Sequence, residues 1–246
     1  MNSPLQDAHR PVRARRVLDN GLIVVAMERR HLPILSATLL LPGGTAAEPE
    51  DLPGAAFFAS QVLPMGTDAL SAVALAEKVD ALGATLGTGC DHDFSTIEVT
   101  GLARDGEALL DVLAGVAIRP AFQAEEIERR RSQILGLLQR KKSDYTDKVR
   151  NRFRELVYGS HPYHRTKEGN EASVAKMTRD DLVAFHESHY GPAGAILALV
   201  GDLDPEAMFR CVEERFGGWR PRDAAAAPSA EIMIPKERKV LTSRKR

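Results

Sequence analysis

The chain has 246 residues, of which 43% are hydrophobic and 27% are charged, a composition that suits a soluble globular protein of one or two domains. Its 33 lysines and arginines nearly balance its 34 aspartates and glutamates, so the overall charge gives no reason to expect binding to nucleic acid or to a membrane surface. Two cysteines, Cys90 and Cys211, exclude a disulfide-rich scaffold and fit a reducing compartment.

The N-terminal segment bears on cellular location. Residues 1–20 include four arginines but no apolar run that could form the core of a signal peptide. No later segment approaches the length of a membrane-spanning helix. We therefore expect a cytoplasmic protein, unless the start codon is assigned too far downstream and conceals an export signal.

Apolar and β-branched runs predict the strands. Asn20-Gly21 separates two short apolar runs, which is the strongest short-range signal of a hairpin. Four further strands are predicted: residues 34–41, 84–90, 94–101 and 195–200.

The helical spacing of apolar residues predicts six helices: residues 54–63, 71–82, 104–118, 123–158, 178–190 and 205–216. The longest is predicted to be continuous, with acidic residues in its first turns, where the helix dipole favours them. Its basic residues, 129–131 and 140–142, are expected to form a solvated face, with contact to an acidic partner as the less favoured alternative.

Composition divides the chain into three parts. Residues 1–15 are polar and predict a flexible arm, whereas residues 16–220 carry the elements of one domain. Residues 221–230 are rich in alanine and proline and predict a linker. Since residues 231–246 hold only short apolar stretches and end in Arg244-Lys245-Arg246, we interpret 221–246 as a linker and the stub of a missing second domain.

Residues 54–67 hold the pattern that is most informative about function. Positions 57, 60 and 61 share one face of the predicted helix, because they are spaced i, i+3 and i+4. An inverted zincin motif, H-x-x-E-H, uses this spacing to place two histidines and a glutamate around zinc. The three residues here are Phe57, Ser60 and Gln61.

Several short motifs occur in a specific order across residues 16–220. In chain order they are Leu18-Asp19-Asn20-Gly21-Leu22, Pro42-Gly43-Gly44, Gly54, Gly66-Thr67, Glu125-Glu126-Ile127-Glu128, His161-Pro162, Tyr190-Gly191-Pro192 and Leu199-Val200-Gly201-Asp202. Together they make the chain resemble the N-terminal domain of the pitrilysin/insulinase family of zinc metallopeptidases (inverzincins). The resemblance implies an α/β (α+β) fold, a two-layer sandwich with helices packed on one face of a mostly antiparallel sheet. Family members carry two such domains in each half of a clamshell, and the two halves enclose a peptide.

The resemblance also implies where the family's zinc site falls. Aligned without a gap on residues 54–67, the family motif places its first histidine at Phe57, its glutamate base at Ser60 and its second histidine at Gln61. The third ligand, a glutamate on the long later helix, falls at Leu137, 76 positions after Gln61. All four positions are therefore replaced in this chain.

The replacing side chains cannot supply zinc chemistry. Zinc needs lone pairs from imidazole, thiolate or carboxylate groups, whereas Phe57 and Leu137 have none and Gln61 offers only a neutral amide oxygen. The hydroxyl of Ser60 does not accept a proton near neutral pH, so it cannot replace a general base. We therefore expect no zinc or other cofactor and assign no catalytic, cofactor-binding or metal-ligating residue. Phe57 and Leu137 are expected to fill the space with apolar contacts, which avoids an unpaired buried charge.

Two histidine-containing segments offer alternative chemistry. Asp91-His92-Asp93 could form a small metal cluster, but a polar turn is favoured because Asp and His are ordinary turn residues. His161 and His164 are a poor ligand pair because Pro162 prevents a continuous helix between them. A stand-alone hydrolase that uses these histidines is therefore the least favoured function.

The sequence favours a non-catalytic homologue of these peptidases. Its expected partner is a zinc-bearing relative, in a heterodimer, or a second domain of its own, and it would supply part of the chamber wall or a peptide-binding strand. In this family, substrates are expected to add to a sheet edge near the zinc helix, through backbone hydrogen bonds that do not need the metal. The alternative, supported by the abrupt basic end, is a truncated fragment of a two-domain protein with no function of its own.

Overall fold

The computed structural model describes residues 13–220, so the predicted linker and stub at 221–246 lie outside it, as do residues 1–12 of the predicted arm. Within this range six strands form one sheet: β1 (Arg13–Val17), β2 (Ile23–Glu28), β3 (Ile34–Pro42), β4 (Thr85–Cys90), β5 (Phe94–Leu102) and β6 (Ile196–Gly201). Their order across the sheet is β1-β2-β6-β3-β5-β4, and all neighbours are antiparallel except β2 and β6. β1 thus begins three residues before the predicted start of order at Arg16.

Across residues 13–220, eight α-helices accompany the sheet: α1 (Ala55–Val62), α2 (Ala72–Ala81), α3 (Gly106–Ile118), α4 (Ala124–Ser143), α5 (Tyr145–Tyr158), α6 (Glu171–Lys176), α7 (Arg179–His189) and α8 (Pro205–Phe216). None of these helices combines the length and the apolar character that crossing a bilayer requires.

One face of the sheet carries the core. Along β3 the alternate residues Leu35, Ala37, Leu39 and Leu41 are at most 1% exposed, because successive side chains of a strand point to opposite faces. Helix α3 packs on β3 and β5, α8 packs on β2, and α1 packs beside β4. The predicted α/β architecture with a mostly antiparallel sheet is confirmed.

The prediction of one continuous helix over residues 123–158 is wrong, because the chain forms α4 and α5 with a break at Asp144. Asp144 has an extended backbone, and its Oδ1 accepts hydrogen bonds from the N–H groups of Thr146 (2.7 Å) and Asp147 (3.2 Å). An aspartate at an N-cap satisfies N–H groups that the first helical turn leaves without a partner. The side chain of Asp144 therefore starts a new helix at this point.

The first turn of α1 is capped by a residue outside the helix. Gly54, at the N-cap, has a left-handed backbone (φ +97°) and no side chain with which to cap. The carboxyl group of Glu48 takes this role, since its Oε2 accepts a hydrogen bond from Gly54 N–H (2.8 Å) and its Oε1 accepts one from Ala56 N–H (2.9 Å). Glu48 is only 6% exposed. The segment that follows β3 is thereby tied to the start of α1.

Burial raises the pKa of Glu48 to about 8, an effect that outweighs the hydrogen bonds from Gly54 and Ala56 and the positive charge of Arg165. This pKa lies above that of a glutamate in the unfolded chain, so the folded protein favours the protonated carboxyl group. The contribution of Glu48 to the free energy of unfolding therefore falls as the pH rises from about 4.5 to about 8.

Replacing Glu48 with glutamine tests this linkage. The Glu48→Gln variant should be less stable than the wild type, because glutamine has one acceptor oxygen where the carboxyl group has two. The deficit should be larger at about pH 6 than at about pH 9, changing by up to about 1.4 kcal/mol per pH unit, because only the wild type loses stability as the carboxyl group ionises. Urea unfolding across this pH range measures the difference. A deficit that is constant, or that grows with pH, would contradict the raised pKa.

Candidate functional site

The residues of α1 that align with the zinc motif carry no titratable group. Ser60 is fully buried, and its hydroxyl donates a hydrogen bond to the backbone oxygen of Phe57 at 2.7 Å. Phe57 is half-buried and packs against the hydrophobic core, and Gln61 is also half-buried. The proton of the Ser60 hydroxyl is thus directed back into the helix.

Helix α4 runs antiparallel to α1. Near the start of α4, Arg130 Nη2 lies 3.5 Å from the Sδ of Met65, just beyond the end of α1. Near the end of α4, Lys141 Nζ lies 2.6 Å from Glu168 Oε1. The carbonyl oxygen of Glu168 in turn lies so close to Gly54 that a Cβ there would come within 2.8 Å of it. The two ends of α4 therefore lie at opposite ends of α1.

This arrangement places the Leu137 segment of α4 alongside α1. Leu137 falls between the two contacts just described and follows the buried Ile134 by three residues, on the same side of the helix. It is half-buried. The structure thus brings the α4 segment of Leu137 to the helix that carries Phe57 and Gln61, although they are far apart in the chain.

The side chains at these four positions do not fit zinc. They offer one hydroxyl and one neutral amide, whereas zinc sites take imidazole, thiolate or carboxylate ligands, at least three of them from the protein. Among residues 13–220, no three His, Cys, Asp or Glu side chains are grouped so that they could hold a metal ion. Metal-assisted hydrolysis therefore has neither protein ligands nor a general base at this site.

Two of the three histidines considered as alternative catalytic groups lie in an aromatic cluster around Tyr163. The His92 ring stacks on Tyr163, with 4.9 Å between centroids, and the His161 ring meets Tyr163 edge-on at 4.5 Å. The Tyr163 hydroxyl donates a hydrogen bond to Asp93, and this bond raises the pKa of Tyr163 to about 12. Tyr163, which sequence reasoning did not single out, thus joins the 91–93 turn to the 161–164 segment.

The ring nitrogens of these histidines make local hydrogen bonds. His92 Nδ1 lies 2.8 Å from Thr45 Oγ1, and burial lowers the pKa of His92. His161 Nδ1 accepts a hydrogen bond from the backbone N–H of Tyr163 at 3.2 Å, and His164 Nδ1 lies 2.8 Å from the backbone oxygen of His161. The first contact joins the 91–93 turn to Thr45, and the other two lie within residues 161–164. The role of His92 in this loop contact supports the interpretation of residues 91–93 as a polar turn.

Strand β4 lies at the edge of the sheet next to this site. In the described sheet it pairs with β5 alone, and it packs beside α1. Its sequence, Thr-Leu-Gly-Thr-Gly-Cys, contains no charged residue and no proline, which are features that protect natural sheet edges from pairing with another chain. An extended peptide could add to this edge through backbone hydrogen bonds.

Comparison with known proteins gives a consistent result. Residues 24–170 match the family model described as Insulinase (Peptidase family M16), and residues 176–245 match the model described as Peptidase M16 inactive domain. A crystal structure of a peptidase M16 inactive domain from Pseudomonas fluorescens is 26% identical with a TM-score of 0.83, covering 93% of this chain and 55% of that one.

Two curated relatives extend the comparison. An uncharacterized zinc protease of Mycobacterium leprae is 29% identical over 217 residues, which are 87% of this chain and 48% of the relative. Cytochrome b-c1 complex subunit 1 of Bos taurus is 26% identical over 201 residues, which are 82% of this chain and 42% of the relative. The chain thus spans about half the length of the curated relatives it matches. The resemblance drawn from the sequence motifs is confirmed, and the chain belongs to the insulinase (peptidase M16) family.

Proposed function

We propose that this domain is a non-catalytic member of the insulinase family that pairs with a zinc-bearing relative and contributes a peptide-binding wall to a shared chamber. The observation that carries the proposal is an ordered α1–α4 pair without metal ligands or a general base, next to an open edge strand. The proposal includes no cofactor for this domain, and the cytoplasm stays its predicted location.

The lack of charged residues and proline in β4 favours a binding role over a purely structural one. An edge strand without charge or proline exposes unpaired backbone groups, which natural proteins usually cover or protect because such edges pair with other chains. Peptide addition to an edge draws its affinity from backbone hydrogen bonds and its selectivity from neighbouring side-chain pockets. Neither contribution depends on zinc, so β4 can bind a peptide that the domain itself does not cleave.

The comparisons support a role as a subunit. Part of the chain matches a model whose name denotes an inactive domain. The Bos taurus relative is named as a subunit of the cytochrome b-c1 complex, so a related chain is part of a larger assembly. With a partner that supplies the zinc site, this domain would be one subunit of such an assembly.

Co-expression with a zinc-bearing relative from the same genome tests the partner role. The two chains should co-purify, and their complex should cleave a fluorogenic peptide at least about tenfold faster than either chain alone. As a control, replacing the glutamate base of the relative's own zinc motif with glutamine should abolish cleavage and leave co-purification intact. Two independent monomers, or a relative that is equally active alone, would contradict the proposal.

Proline substitution in β4 tests the peptide-binding role separately. Adjacent residues of a strand direct their backbone N–H groups to opposite edges of the strand. The N–H group of either Gly87 or Thr88 therefore points away from β5. Proline at that position should weaken binding of an extended fluorescent peptide with little loss of stability. Proline at the other position should instead cost about 3 kcal/mol by removing a hydrogen bond to β5. Unchanged peptide affinity in both Gly87→Pro and Thr88→Pro would exclude β4 as the binding edge.

A further inference from the structure

The first ten residues of helix α5 have their apolar and polar faces reversed relative to an ordinary surface helix, whereas Leu156, Val157 and Tyr158 in its last turn are half-buried. Over residues 145–154 the half-buried positions are all polar: Asp147, Asn151 and Arg154. The apolar residues of the same stretch are exposed: Tyr145 by 42%, Val149 by 65% and Phe153 by 62%.

This reversal needs an explanation, because a surface helix normally turns its apolar stripe towards the core. Tyr145, Val149 and Phe153 are spaced i, i+4 and i+8, so they form a continuous stripe along one side of α5. No residue of α5 is fully buried. We call Tyr145, Val149 and Phe153 the α5 stripe. A stripe that faces water in the isolated domain is suited to burial against a partner.

The rim of the α5 stripe is basic. Lys148, Arg150 and Arg152 are exposed beside it. Arg150 lies 3.5 Å from Asp147, and Arg152 also has a carboxylate neighbour, Glu155. Lys148 lies over the ring of Tyr145 at 5.1 Å, and the ion pairs of the described residues do not include it. The ion pairs of Arg150 and Arg152 therefore leave the positive charge of Lys148 for a partner to neutralise.

A recess adjoins the stripe and shares part of its rim. A cavity of about 390 Å³ opens between α5, the end of α4 and residues 166–171. Four cations line it, and three carboxylates pair with three of them: Glu168 with Lys141, Glu171 with Lys142 and Glu155 with Arg152. An acidic side chain that approached over the stripe could enter this recess and meet Lys148, the remaining cation.

These features select one kind of occupant. A second copy of the chain would bring a rim with the same net positive charge, which it could not neutralise. Residues 231–246 of the chain carry six basic and only two acidic residues, so they are excluded on the same ground. A flat anionic bilayer matches the charge, but three side chains bury little apolar area and a bilayer does not fill the recess.

We propose that the α5 stripe is a docking site for an acidic amphipathic helix of a partner protein, which packs apolar residues at i, i+4 spacing on Val149 and Phe153 and pairs its acidic flanks with the basic rim. Packing of the partner helix on α5 buries the stripe and gives Lys148 an acidic side chain with which to pair. The site shares no residue with α1 or β4, so the inference does not depend on the proposed function.

A display library tests the docking site on the full-length chain. Its peptides have the length of α5, with leucine fixed at i, i+4 and i+8 and with the flanking positions drawn from glutamate, lysine and serine. Selection should enrich glutamate over lysine at the flanks. The Val149→Ser/Phe153→Ser variant should retain the selected peptides at least about tenfold less well, because exposed positions can change without unfolding the domain.

Two further variants complete the test. Val73→Ser removes an equally exposed apolar side chain from α2 (67% exposed) and should leave retention unchanged. Lys148→Glu should shift the selected flanks from glutamate towards lysine. The proposal is overturned by selection without charge preference, by full retention on Val149→Ser/Phe153→Ser, or by a chain that binds phosphatidylserine vesicles and selects no peptide. These results do not depend on co-purification with a zinc-bearing relative, so the two proposals can fail separately.

Discussion

The region around α1 depends on one buried carboxyl group. Glu48 supplies the acceptors for the N–H groups of Gly54 and Ala56, which have no capping side chain of their own. A carboxylate at a helix N-terminus is favoured by the helix dipole, yet burial raises the pKa of Glu48 to about 8. The same group therefore orients α1 and makes its attachment sensitive to pH. The helix that Glu48 holds in place carries no acid, base or metal ligand at its three motif positions.

The four proposed replacements are consistent with one another physically. A single ligand left in a half-buried site would be an uncompensated charge, and removing one partner of such a group costs several kcal/mol. None of the four side chains is ionisable, and the Ser60 hydroxyl is satisfied within α1 by the backbone of Phe57. Phe57 packs against the hydrophobic core, and Leu137 is half-buried. The α1–α4 pair can therefore remain folded without a metal.

Local patterns were sufficient for much of the fold. The Asn20-Gly21 turn does connect β1 and β2, and α8 occupies residues 205–216 as its capping and apolar spacing predicted. The break at Asp144 was missed because helical periodicity on both sides outweighed the capping signal of one aspartate. Periodicity shows that a helix has an apolar face, but packing with distant segments decides where that face points. The outward stripe of α5 and the alignment of α4 along α1 were for this reason not accessible from periodicity, and only the family resemblance suggested the second.

Restoring zinc ligands at Phe57, Ser60, Gln61 and Leu137 tests directly whether these four positions form one replaced metal site. The variant Phe57→His/Ser60→Glu/Gln61→His/Leu137→Glu is titrated with zinc against a chromophoric chelator. A single zinc ion per chain should bind tightly. Binding should be at least about tenfold weaker when the last change is replaced by Gln139→Glu, at an exposed position on a different side of α4. The shared site is contradicted by a restored chain that stays unfolded in zinc, or that binds zinc no more tightly than the Gln139→Glu control.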